Sequence, residues 1–416
     1  MSATTSSAPG LLEEQSANLS LYNLLDPAVL ANPYPLYAKL RTEDPVHWDP
    51  FLHAWVVTRY DDVVQVLHKF QADRTPTPEL LEAMGAPELS EIATVMVRQM
   101  LFMDAAAHTR IRQLASYAFT PARIKVLRDH IQSIAERLIT NINRAGFDMI
   151  ADFAVPLPAI VTAEMLGVPA EDYKQLKDWS FTFSEMLGNF QHNPDRSCAV
   201  LAALRGMIEY FRNAIARQKE QPREGLVRSF MLAEHHGDRF SEEEIVANCI
   251  LTMVGGLETT TNLIGNGVLT LLRQPELLRQ LQSDPSLIPG AVEELLRFES
   301  PSQHTARLAP TDVMLGGKWI RQRQAVIAVM AAANRDPERF PDPDRVDFTR
   351  SPNRHVAFGW GAHFCFGAAL ARMEGQIAFE LISRHLPNLR LADGAELEWR
   401  DNLGLRGLRE LRVIAE

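Results

Sequence analysis

The chain has 416 residues, 46% hydrophobic and 23% charged, enough to bury a large core, and length alone allows two or three domains. Its 42 Lys+Arg against 52 Asp+Glu give a formal charge of -10, which argues against nucleic acid as the main partner, because gripping a phosphate backbone takes clustered positive charge. Three widely separated cysteines, Cys198, Cys249 and Cys365, make a poor disulfide framework and fit a reducing, cytoplasmic setting.

The opening MSATTSSAPG lacks the basic start and apolar run of a signal peptide. Residues 1–20, rich in Ser, Ala and Thr, are expected to be disordered, which leaves 21–416 as a single domain. PVHWDPFLHAWVVTRY (45–60) reads as a β-hairpin. A long helix is predicted from Ser241, where Ser241 and Glu244 form a capping box, and LIPGAVEELLRF (287–298) continues the helical pattern. VMLGGKWI (313–320) places a turn at Gly316-Gly317, and the apolar run AVIAVMAAA (325–333) is far too short to span a bilayer. The Pro- and Asp-rich stretch 336–353 forbids regular structure, yet its phenylalanines predict an ordered loop that packs down. A last long helix follows from Gly367, with Leu370, Met373, Ile377 and Leu381 at helical spacing, and LRLADGAELEW (389–399) carries a turn at Asp393-Gly394. The sum is mainly α with small antiparallel β-sheets and no membrane anchor.

One cysteine stands apart. FGWGAHFCFG (358–367) sets Cys365 between Phe364 and Phe366, just before a helix N-terminus whose amide dipoles favour a thiolate. Glycines at 359, 361 and 367 let backbone approach the sulfur and anything it holds, and the rings exclude water. A buried structural cysteine is the bland alternative. The segment resembles the haem-binding loop of the cytochrome P-450 monooxygenases, Phe-Gly-x-Gly-x-His-x-Cys-x-Gly, with Phe358, Gly359, Gly361, His363, Cys365 and Gly367 all in place. In that family a Cys thiolate holds haem iron.

The resemblance implies a cytochrome P-450 fold, with haem b (iron protoporphyrin IX) buried between the long helix and the cysteine loop and Cys365 as its axial ligand. Gly255-Gly256-Leu257-Glu258-Thr259-Thr260 resembles the oxygen-activating segment. Adjacent glycines cost about 1 kcal/mol each inside a helix, and here they would leave room for a ligand. Thr259 would hydrogen-bond the dioxygen and Glu258 would feed protons; a threonine bonded to its own helix backbone is the bland alternative. His108, Arg112, Arg307 and His363 resemble the family's contacts to the haem propionates. Glu294 and Arg297 resemble its buried helical ion pair, with Arg345 at the position of the loop arginine that locks onto them.

The function so implied is a cytoplasmic, monomeric monooxygenase. It would insert one atom of the co-substrate O2 into a hydrophobic small molecule such as a terpenoid, steroid, fatty acid or polyketide. Electrons would come from NAD(P)H through a ferredoxin reductase and ferredoxin, docking near Arg110, Arg345, Arg354 and Arg372. The chain has too few cysteines for its own [2Fe–2S] cluster beside the haem ligand. Oxidative coupling or desaturation, peroxide-driven oxygenation, a non-catalytic haem sensor or carrier, and a non-haem cysteine enzyme are the rival readings. The substrate pocket is expected from Thr75–Leu101, Phe181–Gln191, Ser302–Ala306 and Leu403–Leu405, with Met84, Met96, Met100, Phe181, Phe183 and Met186 as apolar lining.

Overall fold

The computed structural model describes residues 19–118, 126–188, 194–235 and 237–416. The predicted disordered segment lies, as far as residue 18, outside the described residues. Leu19 and Ser20 are buried, and the Ser20 hydroxyl donates to Asp49 at 2.8 Å.

The N-terminal hairpin forms as expected, from β1 (Val46–Asp49) and β2 (Ala54–Val57), with Trp48 opposite Trp55. Among the helices that follow are α1 (Tyr60–Lys69), α2 (Ala105–Ala118), α3 (Pro156–Leu166), α4 (Tyr173–Gly188), α5 (Pro194–Glu220), α6 (Glu242–Arg273) and α7 (Ile288–Phe298). After α7 come β3 (Thr305–Leu308), β4 (Ala325–Ala328) and α8 (Ala368–His385). The apolar run 325–333 supplies β4 and a short helix, Met330–Ala333.

One strand expectation changes: the principal sheet is mixed, with the order β1-β2-β4-β3, and β2 runs parallel to β4 while the other pairs are antiparallel. Two segments about 270 residues apart meet there, so their relative direction was set by tertiary packing and not by a local turn. The turn at Asp393-Gly394 forms as read, with Ala395 N–H donating to the Ala392 carbonyl at 3.1 Å, while the strand before it, Arg390–Leu391, pairs with Arg412–Ile414, which in turn pairs with Phe147–Asp148. The hairpin at Gly316-Gly317 forms as read.

Helix α6 organises the interior. Its capping box is present, and at 1.5 Å per residue its 32 residues run about 48 Å. The N-terminal half buries Ile245, Ile250 and Met253 in one apolar core with Phe183 of α4 and Phe211 of α5. The C-terminal half buries Leu263, Ile264 and Val268 in a second core with Phe379 of α8. Gly267 makes the second packing possible: a Cβ there would come within 2.4 Å of the Phe379 ring. Between the two cores lies the Gly255–Asn262 stretch, where apolar packing gives way to polar side chains.

Beneath α7 the Pro/Asp stretch is ordered as predicted, with Phe340, Val346 and Phe348 buried. The arginine that ties it down is not the expected one. Arg350 donates from Nε to both Glu294 oxygens, at 3.1 and 3.2 Å, whereas the Arg345 side chain is exposed beside Asp347 and only its backbone carbonyl meets Arg297. The family spacing pointed to Arg345; the turn at Asp347–Arg350 brings the later guanidinium inward instead.

Candidate functional site

The cysteine loop is built by backbone. Cys365 N–H donates to the Phe358 carbonyl at 2.8 Å, and Gly359 N–H to Val356 at 2.9 Å, which closes a tight hairpin-like turn. Gly359 and Gly361 sit at φ +71° and +72°, a region that disfavours any Cβ. Gly367 caps α8 and its N–H faces the sulfur. Burial pushes the Cys365 thiol up, while the Gly367 amide, Arg112 and Arg372 pull it down. The apoprotein thiol is therefore protonated near neutral pH, and bound iron would displace that proton. Phe358 is held by Arg372, whose guanidinium carbon lies 4.5 Å from the ring centroid and which is itself paired with Glu293.

A polar cradle forms beside the loop from three separate elements. The His108 ring, on α2, lies 4.1 Å from that of His363 in the loop. Arg307, on β3, is 3% exposed and donates to Thr305 Oγ1 and the Ala306 carbonyl. Arg307 Nε and His108 Nε2 are buried without a hydrogen-bond partner among the described residues. Burial first, then His108 and the Arg307 and Arg74 guanidiniums, push His363 down to about 4, so its imidazole is neutral at pH 7, and burial and Arg112 push His108 below its ordinary value. Burial also brings Arg307 down to about 10. Arg112, one turn beyond His108, differs from the other three: its Nη2 donates to the Phe364 carbonyl at 2.8 Å and it rides over Phe366, so it braces the loop at the cradle's edge.

The central stretch of α6 divides its two glycines. Gly255 is exposed, and nothing lies within 4 Å of where its Cβ would be. Gly256 does not leave room for a ligand as expected; it faces Thr162 of α3, whose Oγ1 would be 3.1 Å from an added Cβ. Thr259 Oγ1 donates to the Gly255 carbonyl at 2.7 Å, on the open side. Such a bond loosens the turn and leaves the hydroxyl oxygen free to accept. Glu258 is buried, accepts from the Ser184 hydroxyl of α4, and is pushed up to about 7 by burial against the opposing pull of Ser184 and Arg400. Its proton is thus labile near neutrality.

These residues fit a haem. A thiol in an amide-lined turn, a helix face opened by Gly255, and orphaned buried donors at His108 and Arg307 match a flat, iron-bearing group with two carboxylates.

The other sequence expectations divide. Met96, Met100 and Phe183 are buried in the core, Met186 packs partly buried against it, and Met84 is exposed to solvent. Phe181 lies under Arg400, 4.1 Å from ring to guanidinium. Ser302 bridges to Leu405, which joins two of the segments expected at the pocket; residues 189–191 of a third lie outside the described residues. Arg110 faces away from the cysteine loop, spent on Asp238 and Glu244. Sequence reasoning missed Ser184 and Arg350. No local pattern marks them, since each acquires its role from an element distant in the chain.

A family model described as cytochrome P450 matches residues 53–387. The chain is 39% identical over 392 residues to the biotin biosynthesis cytochrome P450 of Bacillus subtilis (strain 168), covering 93% of this chain and 97% of that protein. Its fold is similar to the solved structure of P450BioI in complex with hexadec-9Z-enoic acid ligated acyl carrier protein, with a TM-score of 0.87, 36% identity, and coverage of 94% of this chain and 99% of that one. It is also similar to that of the myxobacterial cytochrome P450 CYP267B1 in complex with myristic acid, with a TM-score of 0.86, 36% identity, and coverage of 95% and 99%.

Proposed function

The chain belongs to the cytochrome P450 family, and from that premise we propose that it is a haem-thiolate monooxygenase that puts one oxygen atom into an apolar organic substrate. The observation that carries this reading is the cysteine loop, where a thiol within a tight, amide-lined turn borders orphaned donors for two carboxylates. Haem held by Cys365 supplies reductive activation of O2 and transfer of one oxygen atom.

The chain's own residues do the rest. Phe358, Gly359 and Gly367 shape the turn that presents the sulfur; His108, Arg307 and His363 donate to the propionates; Arg112 fixes the loop against α2. Gly255 opens the face of α6 on which Thr259 offers its hydroxyl. Glu258, which titrates near pH 7 and is steadied by Ser184, would pass protons toward that hydroxyl. Electrons would come from NAD(P)H through a separate ferredoxin system, which would dock over the loop where Trp360 and Phe364 are exposed and Arg354 faces solvent. A fatty acyl chain, free or carried on a protein, is the substrate class that the two solved relatives named above favour for this chain.

The test is spectroscopic. Reduced protein treated with carbon monoxide should show the red-shifted Soret band of thiolate-bound haem, and Cys365→Ser should abolish it. A colourless, folded and active preparation would end the proposal. Thr259→Ala should keep the band but cut product per electron pair about tenfold, with peroxide released instead. An unchanged product yield would remove Thr259 from the chemistry. Titration with C14–C18 fatty acids should shift the haem spin state more than steroids do.

A further inference from the structure

Arg74 belongs to no motif, yet the fold delivers it to the cradle. The strand-like bridge between Gln71 and Leu308, with reciprocal 2.9 Å hydrogen bonds, lays the segment after α1 along β3, next to Arg307. Asp104, just before α2, then clamps the same segment: its two carboxylate oxygens accept the Ala72 and Asp73 amides, each at 2.9 Å. Those bonds occupy the one acid that lies close to both arginines. Arg74 Nη1 donates only to the Ala72 carbonyl, and its guanidinium carbon lies 4.6 Å above the Phe102 ring. Among the described residues neither Arg74 nor Arg307 makes an ion pair.

Two guanidiniums brought together without an ion pair, Arg307 buried and Arg74 half-buried, repel each other and lose hydration. Burial and Arg307 pull Arg74 down to about 9, against the opposing pull of Asp104 and Asp73. Three of the buried side-chain atoms without partners among the described residues belong to this region: Arg307 Nε, His108 Nε2 and, one residue from Arg74, the Thr75 hydroxyl. Such a set suits an anion that the chain itself does not supply.

We infer that Arg74 is a haem-positioning residue, donating with Arg307 to a propionate and fixing the loop after α1 to the cofactor. The inference rests on the haem reading above and adds a structural consequence: residues 71–75, which lead into the Thr75–Leu101 segment expected to line the substrate pocket, become ordered by the cofactor.

The experiment measures haem release to excess apomyoglobin from the loaded holoprotein. Arg74→Gln should release haem about tenfold faster than wild type, the effect of losing a charge-assisted hydrogen bond, and should lower the midpoint potential because a cation near the haem is gone. Arg74→Lys keeps the charge without the fork and should fall between, about threefold. With haem dimethyl ester, which carries no propionate charge, wild type and both variants should release at one rate; a merely structural role would leave the difference intact. Release within twofold of wild type for both variants overturns the inference, as does a difference that persists with the ester. If Arg74→Gln does not accumulate, Arg74→Lys decides alone by the same criteria. Loss of the spin shift for a carboxylate-bearing substrate, with unchanged haem release, would assign Arg74 to substrate and also overturn it. Failure of wild type to bind haem at all would strike the haem reading instead.

Discussion

Two arginines are buried to almost the same degree, and their surroundings are opposite. Arg297 is fully enclosed and every donor is used: Nε and Nη2 on Glu294 at 2.8 and 2.7 Å, Nη1 on the Asn334 and Pro343 carbonyls, and Nη2 again on that of Arg345. Glu294 is in turn shared with Arg350, Asn353 and the Asp347 amide. Arg307 has only Thr305 and Ala306, an orphaned Nε, and Arg74 for a neighbour. A buried charge whose partners are complete holds a fold together; one whose partners are missing waits for a ligand.

The largest way to break this comparison is Glu294→Ala. It strips two buried guanidiniums of their counter-ion at once and should cost about 3–5 kcal/mol in urea unfolding. A loss under 1 kcal/mol would mean that the network is ornamental. Arg350→Ala should cost about 2 kcal/mol, because it removes the clamp that orders the 336–353 loop.

A third buried charge tests the orphan side. Glu374 on α8 has both oxygens buried without a hydrogen-bond partner among the described residues, and burial pushes it up to about 8. Its folded value stands above its unfolded one, so the carboxylic acid favours folding below about pH 4.5. That contribution fades as pH rises toward 8, at up to about 1.4 kcal/mol per pH unit. Glu374→Gln, measured by unfolding from pH 5 to 8, should flatten the decline.

The smallest expected changes in stability are the sharpest contrasts. Arg345→Ala should stay within about 0.5 kcal/mol of wild type, which separates it from Arg350. Arg307→Gln should alter unfolding of the haem-free chain as little, since no ion pair is lost, while speeding haem release about tenfold.

The cysteine loop was legible because its geometry is local. Glycines at positive φ, a turn closed within eight residues and a helix start at Gly367 are all written in one short stretch. The capping box at Ser241 and the turn at Gly316-Gly317 were legible for the same reason. The division of labour between Gly255 and Gly256 was not. Adjacent residues on a helix point 100° apart, and only the position of α3 decides which of them meets Thr162 and which opens outward. Arg345 and Arg350 lie five residues apart in a stretch without periodicity, so spacing could not say which would turn inward.

By itself, then, the sequence determined the thiol, its turn, the helices that follow Ser241, Leu287 and Gly367, the capping box at Ser241, and the acid–alcohol pair at 258–259, because each depends on contacts a few residues away. Tertiary structure decided the mixed sheet, the choice of Arg350, the Ser184 contact to Glu258 and the gathering of Arg74, His108 and Arg307. Those pair groups separated by tens to hundreds of residues, and the free energy of burying charge, which no single segment carries, chose among them.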